Sequence, residues 1–501
     1  MKKARILSLI LAIVMLCSAF LVSCGGNDDD DQGGGGGNLI VENETEDTSK
    51  KYDAEIKNLN GHEFRFTVRD VPTHIGLDTH EVYAEATNGD KINDAVYARN
   101  SQLEEKYNCS IKEDRYAKPQ STLKDPLTAG EYITDYIFSD VDRLRTLAQS
   151  NLLADLTNVK SIDFTKAWWD SAGLNGMNIA GKTFFVNGDG CTLDDRGSWI
   201  MYFNKAVVAE YTNKNLYDEV DAGRWTIDLM YDIMEHTAED VNGDGQMTIG
   251  TDRFGYIGEQ GNNRLHVQAC GVTLASVDEN GNWSLPDTPP EEVLNVWAAL
   301  RPLLTSSNRE VSSKMSDFSS GLGTFYCCNL GGLLNAGTIP FEYGLLPMPK
   351  LNEQQDKYYT APGWMQLGAY CIPTTVDNAP DWATNGFDSG VEQAAYFLEA
   401  FSYYSMQILT PAFIDQVVMK QAVRDENSPR MLEIALANKI YDPILGFDFG
   451  SINVFREAGS TGANTVGSDA NYDTLVSLYS SRVTAARTAL EKYVDYITKE
   501  A

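Results

Sequence analysis

Oxygen-bearing side chains alternate along one short segment in the middle of the chain. Gly245 within the segment permits a sharp turn, and a predicted helix at 225–236 leads into it. Oxygen ligands at alternating positions wrap a hard cation, so the spacing predicts a structural Ca2+ site. The closing position, Thr251, is not acidic, and Asp252 follows one residue later, which leaves a plain polar turn as the alternative. The candidate ligands are Asp240, Asn242, Asp244, Gln246, Thr248 and Asp252.

Catalytic motifs are sparse by comparison. The five histidines lack the spacing of zinc ligands, and neither Gly-x-Ser-x-Gly nor His-Glu-x-x-His occurs. Acidic residues are so frequent that counting leaves a glycosidase pair of carboxylates open. We therefore predict a protein that is not an enzyme, with a glycoside hydrolase as the less favoured alternative.

The charge balance excludes several classes of partner. The 501 residues include 40 Lys and Arg against 71 Asp and Glu, which gives a formal net charge of −31. A chain this acidic is a poor ligand for phosphate backbones and for anionic membrane surfaces. We expect no nucleic-acid binding.

The first residues indicate export. Lys2, Lys3 and Arg5 precede an apolar run at 6–21, which is shorter than a typical membrane span and has the flanks of a signal peptide. The stretch 21–25, Leu-Val-Ser-Cys-Gly, resembles a bacterial lipobox, and this resemblance implies lipidation of Cys24 after removal of residues 1–23. The expected location is the extracellular face of the cell membrane. The alternative is an ordinary signal peptide with a chance cysteine.

Residues 24–56 read as the lipidated cysteine followed by a flexible tether. An acidic run at 28–31 and five glycines at 33–37 cannot contribute to a buried core. Six further cysteines are scattered through the body of the chain, which is not the pattern of a disulfide scaffold, so buried thiols are favoured over disulfides.

The body of the chain shows the patterns of an α/β protein with largely parallel sheets. About 440 residues exceed one such sheet, so two lobes are expected. Strands are predicted at 64–68, 109–111, 135–138 and 199–203, and helices at 142–153, 225–236, 291–304, 391–404 and 475–497.

Several segments in chain order resemble one family. This family comprises the extracellular solute-binding lipoproteins of ABC importers, of the sugar-binding family 1 type to which maltose-binding protein belongs. The segments are 92–100, 135–138, 142–143, 152–156, 202–205, 216–226, 343–349, 363–364 and 424–432.

The resemblance implies a two-lobed α/β fold of the periplasmic-binding-protein type II, with a hinge between the lobes. The first lobe would comprise 57–192 and 345–410, and the second 193–344 and 411–501, with crossings near 190–198, 335–345 and 405–412. It further implies a monomeric receptor that closes on a carbohydrate, expected to be an oligosaccharide, and delivers it to the membrane subunits of an ABC permease.

The resemblance also implies a set of ligand-binding residues. Asp142 and Arg143 match two sugar-contacting positions of the family, but Ser139 replaces an aromatic residue there. Trp364 is the expected stacking platform, and the remaining candidates lie near the first crossing or in the second lobe. They are Asp189, Asp195, Arg196, Phe325, Tyr326 and Asn329. A surface adhesion lipoprotein that binds carbohydrate without transport is the alternative function.

Overall fold

The computed structural model describes residues 48–70, 81–258, 262–278, 281–312, 314–335, 339–363, 368–421, 426–452, 454–455 and 472–499. The strands are β1 His62–Arg69, β2 Cys109–Tyr116, β3 Tyr136–Asp140, β4 Trp199–Asn204, β5 Phe254–Ile257, β6 Ser276–Val277, β7 Trp283–Ser284, β8 Arg309–Glu310, β9 Gly323–Asn329, β10 Tyr343–Leu346 and β11 Gly368–Cys371.

The helices vary from one turn to nine turns in length. They are α1 Lys91–Tyr107, α2 Pro119–Thr128, α3 Val141–Ala148, α4 Ser171–Met177, α5 Leu193–Arg196, α6 Lys205–Tyr211, α7 Leu216–Asp221, α8 Ile227–Thr237, α9 Asn262–Ala269, α10 Glu291–Thr305, α11 Met315–Ser319, α12 Leu330–Asn335, α13 Gly390–Gln421, α14 Ser428–Leu436, α15 Pro443–Gly446 and α16 Tyr472–Thr498. Short 3-10 turns occupy Thr48–Lys50, Thr374–Asn378 and Phe449–Ser451. Among the described residues, no helix combines the length and the apolar character needed to cross a membrane.

Two larger sheets organise the described part of the chain, and β6 and β7 pair as a separate two-stranded sheet. The first has the order β11-β3-β1-β2 and the second β10-β4-β9-β5-β8. Both sheets are mixed, since β11 runs antiparallel to β3, and β10 and β9 run antiparallel to β4. The α/β class is confirmed, and the prediction of largely parallel sheets holds for the first sheet but not for the second, in which parallel and antiparallel pairs are equally represented. The strands β10 and β11 come late in the chain and lie at the edges of the two sheets. Each pairs antiparallel with an earlier strand, β10 with β4 and β11 with β3.

Local sequence explains why these elements begin and end where they do. In β1 the side chains alternate between buried and half-buried at its start, as the pattern Phe64-x-Phe66-x-Val68 predicts. The Asp90 carboxylate caps α1 by accepting from the amides of Ile92 and Asn93. The predicted helix at 142–153 is shorter than expected and ends at Ala148, because Asn151 adopts the left-handed conformation with φ 54°.

The long helix α13 joins the two sheets. Phe397 and Phe401 in its first half pack with Phe64 and Phe66 of β1, and Leu409 in its second half lies in the core beside the second sheet. The chain also passes between the sheets from β3 to β4 and from β10 to β11. Since β10 pairs with β4 through Leu346, the return to the first sheet begins two residues later than the predicted boundary at 344/345.

The C-terminal elements touch the first lobe as well as the second. Tyr493 of α16 packs on Phe449, and the Arg145 guanidinium of α3 lies 5.3 Å from the centre of the same Phe449 ring. Leu144 and Leu147 of α3 belong to one continuous apolar core with Leu490 of α16. The C-terminal elements therefore contribute to holding the two sheets together.

Candidate functional site

A cavity of about 500 Å3 opens beside the segment that leads from the first sheet to the second. Its walls come from stretches far apart in the sequence, at 167–172, 188–189, 194–195, 357–359 and 436–439. Two isolated backbone bridges hold these stretches together. One joins Thr360 to Lys439, and the other joins Ser198 to Pro362. The cavity therefore lies where the chain crosses between the sheets.

Lys439 is the centre of the charged wall of this cavity. Its Nζ lies 2.7 Å from Asp194 Oδ2, 2.5 Å from Asp195 Oδ1 and 3.5 Å from Asp170 Oδ2. Burial opposes the charge on this amine, but the three carboxylates outweigh burial and raise the pKa of Lys439 well above its usual value. We call Asp170, Asp189, Asp194, Asp195 and Lys439 the lysine-centred cluster.

Asp170 is held in its ionised form by its neighbours. It accepts from the Tyr441 hydroxyl at 2.6 Å and from the Gly173 amide at 3.0 Å, where it caps α4. Burial acts to raise the pKa of Asp170, but Lys439 and these hydrogen bonds outweigh it and the pKa lies below its usual value.

Asp189 and Asp194 behave in the opposite way. Burial raises the pKa of Asp189 to about 7, despite a 2.5 Å hydrogen bond from the Thr410 hydroxyl of α13. Burial also raises the pKa of Asp194, and Lys439 only partly offsets it. The carboxyl groups of this wall therefore differ in their environments, since the pKa of Asp170 is lowered and the pKa values of Asp189 and Asp194 are raised.

The structure brings two of the predicted ligand residues into the cavity wall, Asp189 and Asp195. Arg196 is placed differently, because its guanidinium forms a 2.5 Å ion pair with the buried Glu81 carboxylate. Glu81 also accepts from the Thr192 amide and hydroxyl at 2.6 Å each. Arg196 therefore stabilises the crossing segment and does not line the cavity.

Asp142 and Arg143 lie at the carboxyl end of β3, as predicted, but not in the wall of this cavity. Asp140 accepts from the Arg143 Nε at 2.8 Å and also pairs with Arg69 at the end of β1. Asp142 Oδ1 is buried without a hydrogen-bond partner, and burial raises the pKa of Asp142. These side chains form a second polar group at the edge of the first sheet, where parallel strands end together.

The prediction that Phe325 and Tyr326 face the cleft is wrong. Both are fully buried, with Phe325 5.5 Å from Trp225 and Tyr326 stacked 5.5 Å from Phe318, measured between ring centres. Asn329 is half-buried at the end of β9, where its Oδ1 accepts from the Gly332 amide at 2.8 Å. It orders the start of α12. The predicted platform Trp364 lies outside the described residues.

Sequence reasoning missed Asp170, Asp194 and Lys439. The adjacent acids Asp194 and Asp195 could have been flagged together, since both lie within the predicted first crossing at 190–198. No local signal identifies Lys439, because its partners lie more than 240 positions away in the chain. The tertiary fold alone brings the lysine to these carboxylates.

The chain also contains the spacing of a phosphate-binding loop, Gly176-x-x-x-x-Gly181-Lys182-Thr183. Such a loop needs a strand before it and a helix after it. Here helix α4 precedes it, and Lys182 Nζ pairs with Asp155 Oδ2 at 2.9 Å. The same aspartate accepts from the Thr183 amide at 3.1 Å. The spacing therefore marks a turn tied to Asp155.

The predicted calcium segment, residues 240–252, forms an exposed loop, which we call the acidic loop. Asp240 accepts from the amides of Gly243 and Gly245 at 2.7 Å each, and Asp252 accepts from the amides of Val241 and Thr248 at 3.0 and 2.7 Å. Asp252 thus closes the loop despite its late position. Within the described ranges, no three His, Cys, Asp or Glu side chains are grouped closely enough to hold a metal. The calcium site stays a prediction.

Comparison with known proteins identifies the fold. No protein-family model and no curated protein sequence matches the chain. A solved cyclo/maltodextrin-binding protein complexed with maltotetraose is similar with a TM-score of 0.50 and 12% sequence identity, over 89% of this chain and 100% of that one. The maltose/maltodextrin-binding domain MalE from Bdellovibrio bacteriovorus, bound to maltotriose, gives 0.44 and 11%, over 87% and 100%. The first similarity confirms the predicted two-lobed α/β fold of the periplasmic-binding-protein type.

Proposed function

We propose that this chain is a solute-binding receptor that captures a carbohydrate, most suitably an oligosaccharide, in the cavity between its two lobes. The observation that carries the proposal is the polar cavity at the crossing segments of a fold shared with a maltodextrin-binding protein. That relative was solved with a maltotetraose bound, and it is a binding protein rather than an enzyme.

The chemistry of the cavity wall supports a neutral, hydroxyl-rich ligand. Asp195 and Asp189 provide acceptors, Asn438 provides an amide, and Tyr359 adds a half-exposed ring. Ring faces and hydrogen-bonding side chains together are what a sugar requires. Lys439 is engaged by three carboxylates, so its charge offers little to an anionic ligand. Uronic acids and sulfated sugars should bind poorly.

Lipid attachment at Cys24 and delivery to an ABC permease complete the proposal. They rest on the lipobox-like stretch and on the resemblance of the sequence segments. Metabolic labelling with a fatty-acid analogue tests the first point. Loss of labelling in Cys24→Ala, with labelling retained in Cys109→Ala, supports it.

Calorimetry over a panel of linear glycans tests the ligand assignment. We expect one neutral oligosaccharide to bind, and Asp195→Asn to weaken binding by about tenfold or more, as expected for loss of a charge-assisted hydrogen bond. Asp142→Ala and Trp364→Ala test the two positions implied by the resemblance. Lys160→Met, at an exposed surface pair, is the control. Wild-type affinity in Asp195→Asn would exclude this cavity as the site.

The same panel distinguishes the alternatives. Shortened glycans in the product would identify a glycoside hydrolase. Binding without uptake in cells that carry the associated permease would favour an adhesion lipoprotein. Binding coupled to uptake supports the receptor.

A further inference from the structure

The two acids closest to Lys439 lie on a helix of a single turn. Asp194 and Asp195 are the middle residues of α5, Leu193–Arg196, in the segment that crosses between the sheets. A helix this short makes too few internal hydrogen bonds to fix its own position. Contacts from outside the helix must therefore determine where these two carboxylates lie.

The buried carboxylate of Glu81 makes such contacts at both ends of α5. At the first end, Thr192 donates its hydroxyl to Glu81 Oε1 and its amide to Glu81 Oε2, at 2.6 Å each. At the other end, Arg196 donates to Glu81 Oε1 at 2.5 Å. Glu81 is 1% exposed, so these bonds are made away from bulk water. Because one carboxylate bonds to residues on either side of Asp194 and Asp195, it fixes the turn that carries them.

Glu81 is itself anchored to a long helix of the first lobe. Arg99 of α1 donates through Nη2 to the backbone carbonyl oxygens of Glu81 and Val82 at 2.7 and 3.0 Å, and Asn100 donates to the Val82 carbonyl at 2.8 Å. The Arg99 guanidinium also lies 3.9 Å from the centre of the Phe401 ring of α13. The Glu81 backbone is therefore fixed to the packed core of the first lobe, and its side chain holds α5 against that core.

We propose that Glu81 is a positioning residue for the ligand cavity, which contacts no ligand and holds Asp194 and Asp195 beside Lys439 in the cavity wall. Binding sites keep their geometry only when a surrounding layer of hydrogen bonds fixes the contacting side chains. The inference rests on the proposed function for its ligand, whereas the contact of these acids with Lys439 can be measured without any ligand.

Glu81→Gln tests this role while keeping the shape of the side chain. An amide has one accepting and one donating end, so in either orientation its NH2 group faces a donor of Thr192 or Arg196. Calorimetry with the neutral oligosaccharide that binds wild type should show affinity reduced about tenfold or more, the range for one hydrogen bond to a charged group. Thr192→Val removes a single hydroxyl and should weaken binding by a smaller factor, about threefold.

Matched controls make the same changes away from α5. The buried carboxylate of Asp135 accepts from the Arg65 amide at 2.8 Å and from the Tyr132 hydroxyl at 3.0 Å, so Asp135→Asn also places an amide among donors. The buried Thr67 hydroxyl donates to Thr134 at 3.1 Å. Asp135→Asn and Thr67→Val should lower the melting temperature and leave the affinity for the oligosaccharide unchanged.

Acylation of Lys439 provides the readout that needs no ligand. Only a neutral amine is a nucleophile, so a lysine held by three carboxylates should react slowly with an amine-specific reagent. Mass spectrometry of the folded protein measures labelling at Lys439 relative to the exposed Lys160. Labelling should rise in Glu81→Gln and in Thr192→Val, and it should stay at the wild-type level in Asp135→Asn and Thr67→Val.

The two proposals fail separately. If no glycan binds wild type, or if Asp195→Asn keeps wild-type affinity, the proposed ligand site is wrong, and labelling of Lys439 still decides the role of Glu81. Unchanged labelling in Glu81→Gln and Thr192→Val would overturn that role, and so would an equal loss of affinity in Asp135→Asn. If Glu81→Gln does not fold, Thr192→Val decides the question with Thr67→Val as its control.

Discussion

Two groups of carboxylates in this molecule look alike in sequence and differ in environment. The lysine-centred cluster contains the adjacent acids Asp194 and Asp195, and the acidic loop contains Asp240 and Asp244. In the cluster, a buried lysine compensates the carboxylates and a cavity adjoins them. In the loop, Asp244 is exposed and Asp240 is half-buried, and both accept from backbone amides of the loop itself.

The difference shows that burial and neighbouring charges, and not the acidic sequence pattern itself, determine how carboxylates are stabilised. Solvated carboxylates are stabilised by water and by local amides, and they cost little to maintain. Buried carboxylates need a counter-charge or must take up a proton, as the raised pKa of Asp189 shows. The loop carboxylates satisfy their oxygens with amides close in sequence, whereas those of the lysine-centred cluster depend on a lysine from a distant part of the chain.

Removing that counter-charge should give the largest effect. Lys439→Met leaves Asp170, Asp194 and Asp195 buried without their cation, and loss of one partner of a buried ion pair destabilises by about 3–5 kcal/mol. Urea unfolding at pH 8, where proton uptake offers least relief, measures the loss.

The matched control for Lys439→Met is Lys160→Met. Lys160 pairs with Asp388 at the surface, where both side chains are about four-fifths exposed. Its replacement should change the free energy of unfolding by less than about 0.5 kcal/mol. Equal effects of the two substitutions on the free energy of unfolding would show that the buried carboxylates depend on their lysine no more than the exposed Asp388 depends on Lys160.

An intermediate effect is expected in the pH dependence of stability. Since the pKa of Asp189 rises from 3.8 to about 7 on folding, the folded state holds a proton that the unfolded state has lost between those values. Stability from this group is therefore present at low pH and lost as pH rises from about 4 to 7. Asp189→Asn should flatten this fall by about 1–2 kcal/mol between pH 5 and 7.

Thermal and urea unfolding of Asp189→Asn and wild type at both pH values measure the difference. Thr410→Val provides the opposite change, because removal of the hydroxyl that favours the ionised Asp189 should steepen the fall. An unchanged slope in both variants would remove Asp189 from the titrating groups.

The two groups also differ in how far sequence could predict them. The position of the acidic loop could be predicted because its residues lie within one short segment. The hydrogen bonds that Asp240 and Asp252 accept come from amides of that same segment. Within the cluster, Asp189 and Asp195 were predicted only from the position of the crossing. Lys439 could not be predicted, because its contacts depend on a bridge between Thr360 and Lys439 that sequence periodicity does not encode.

The fold was more predictable than the site for a similar reason. Alternation located β1, and the long apolar face located α16 within a few residues of its ends. Phe325 and Tyr326 were wrongly assigned to the cleft because successive strand residues point to opposite faces, and the second sheet is covered on both. Trp225 packs against one residue and Phe318 against the other. Coverage of a sheet depends on distant helices, which strand patterns do not reveal.

The smallest effect concerns the acidic loop. Ca2+ would have to compete there for carboxylate oxygens that already accept hydrogen bonds from backbone amides. If the loop binds Ca2+, an ion concentration five times the Kd should stabilise the folded protein by about 1 kcal/mol. Thermal melting in calcium and in a chelator measures this, with Asp240→Asn expected to abolish the shift. Asp287→Asn, at an exposed acid outside the loop, should retain it. No shift in wild type would mean that the backbone amides alone satisfy these carboxylates. The loop would then be a turn whose carboxylates are satisfied by its own amides, whereas the carboxylates of the lysine-centred cluster need a cation.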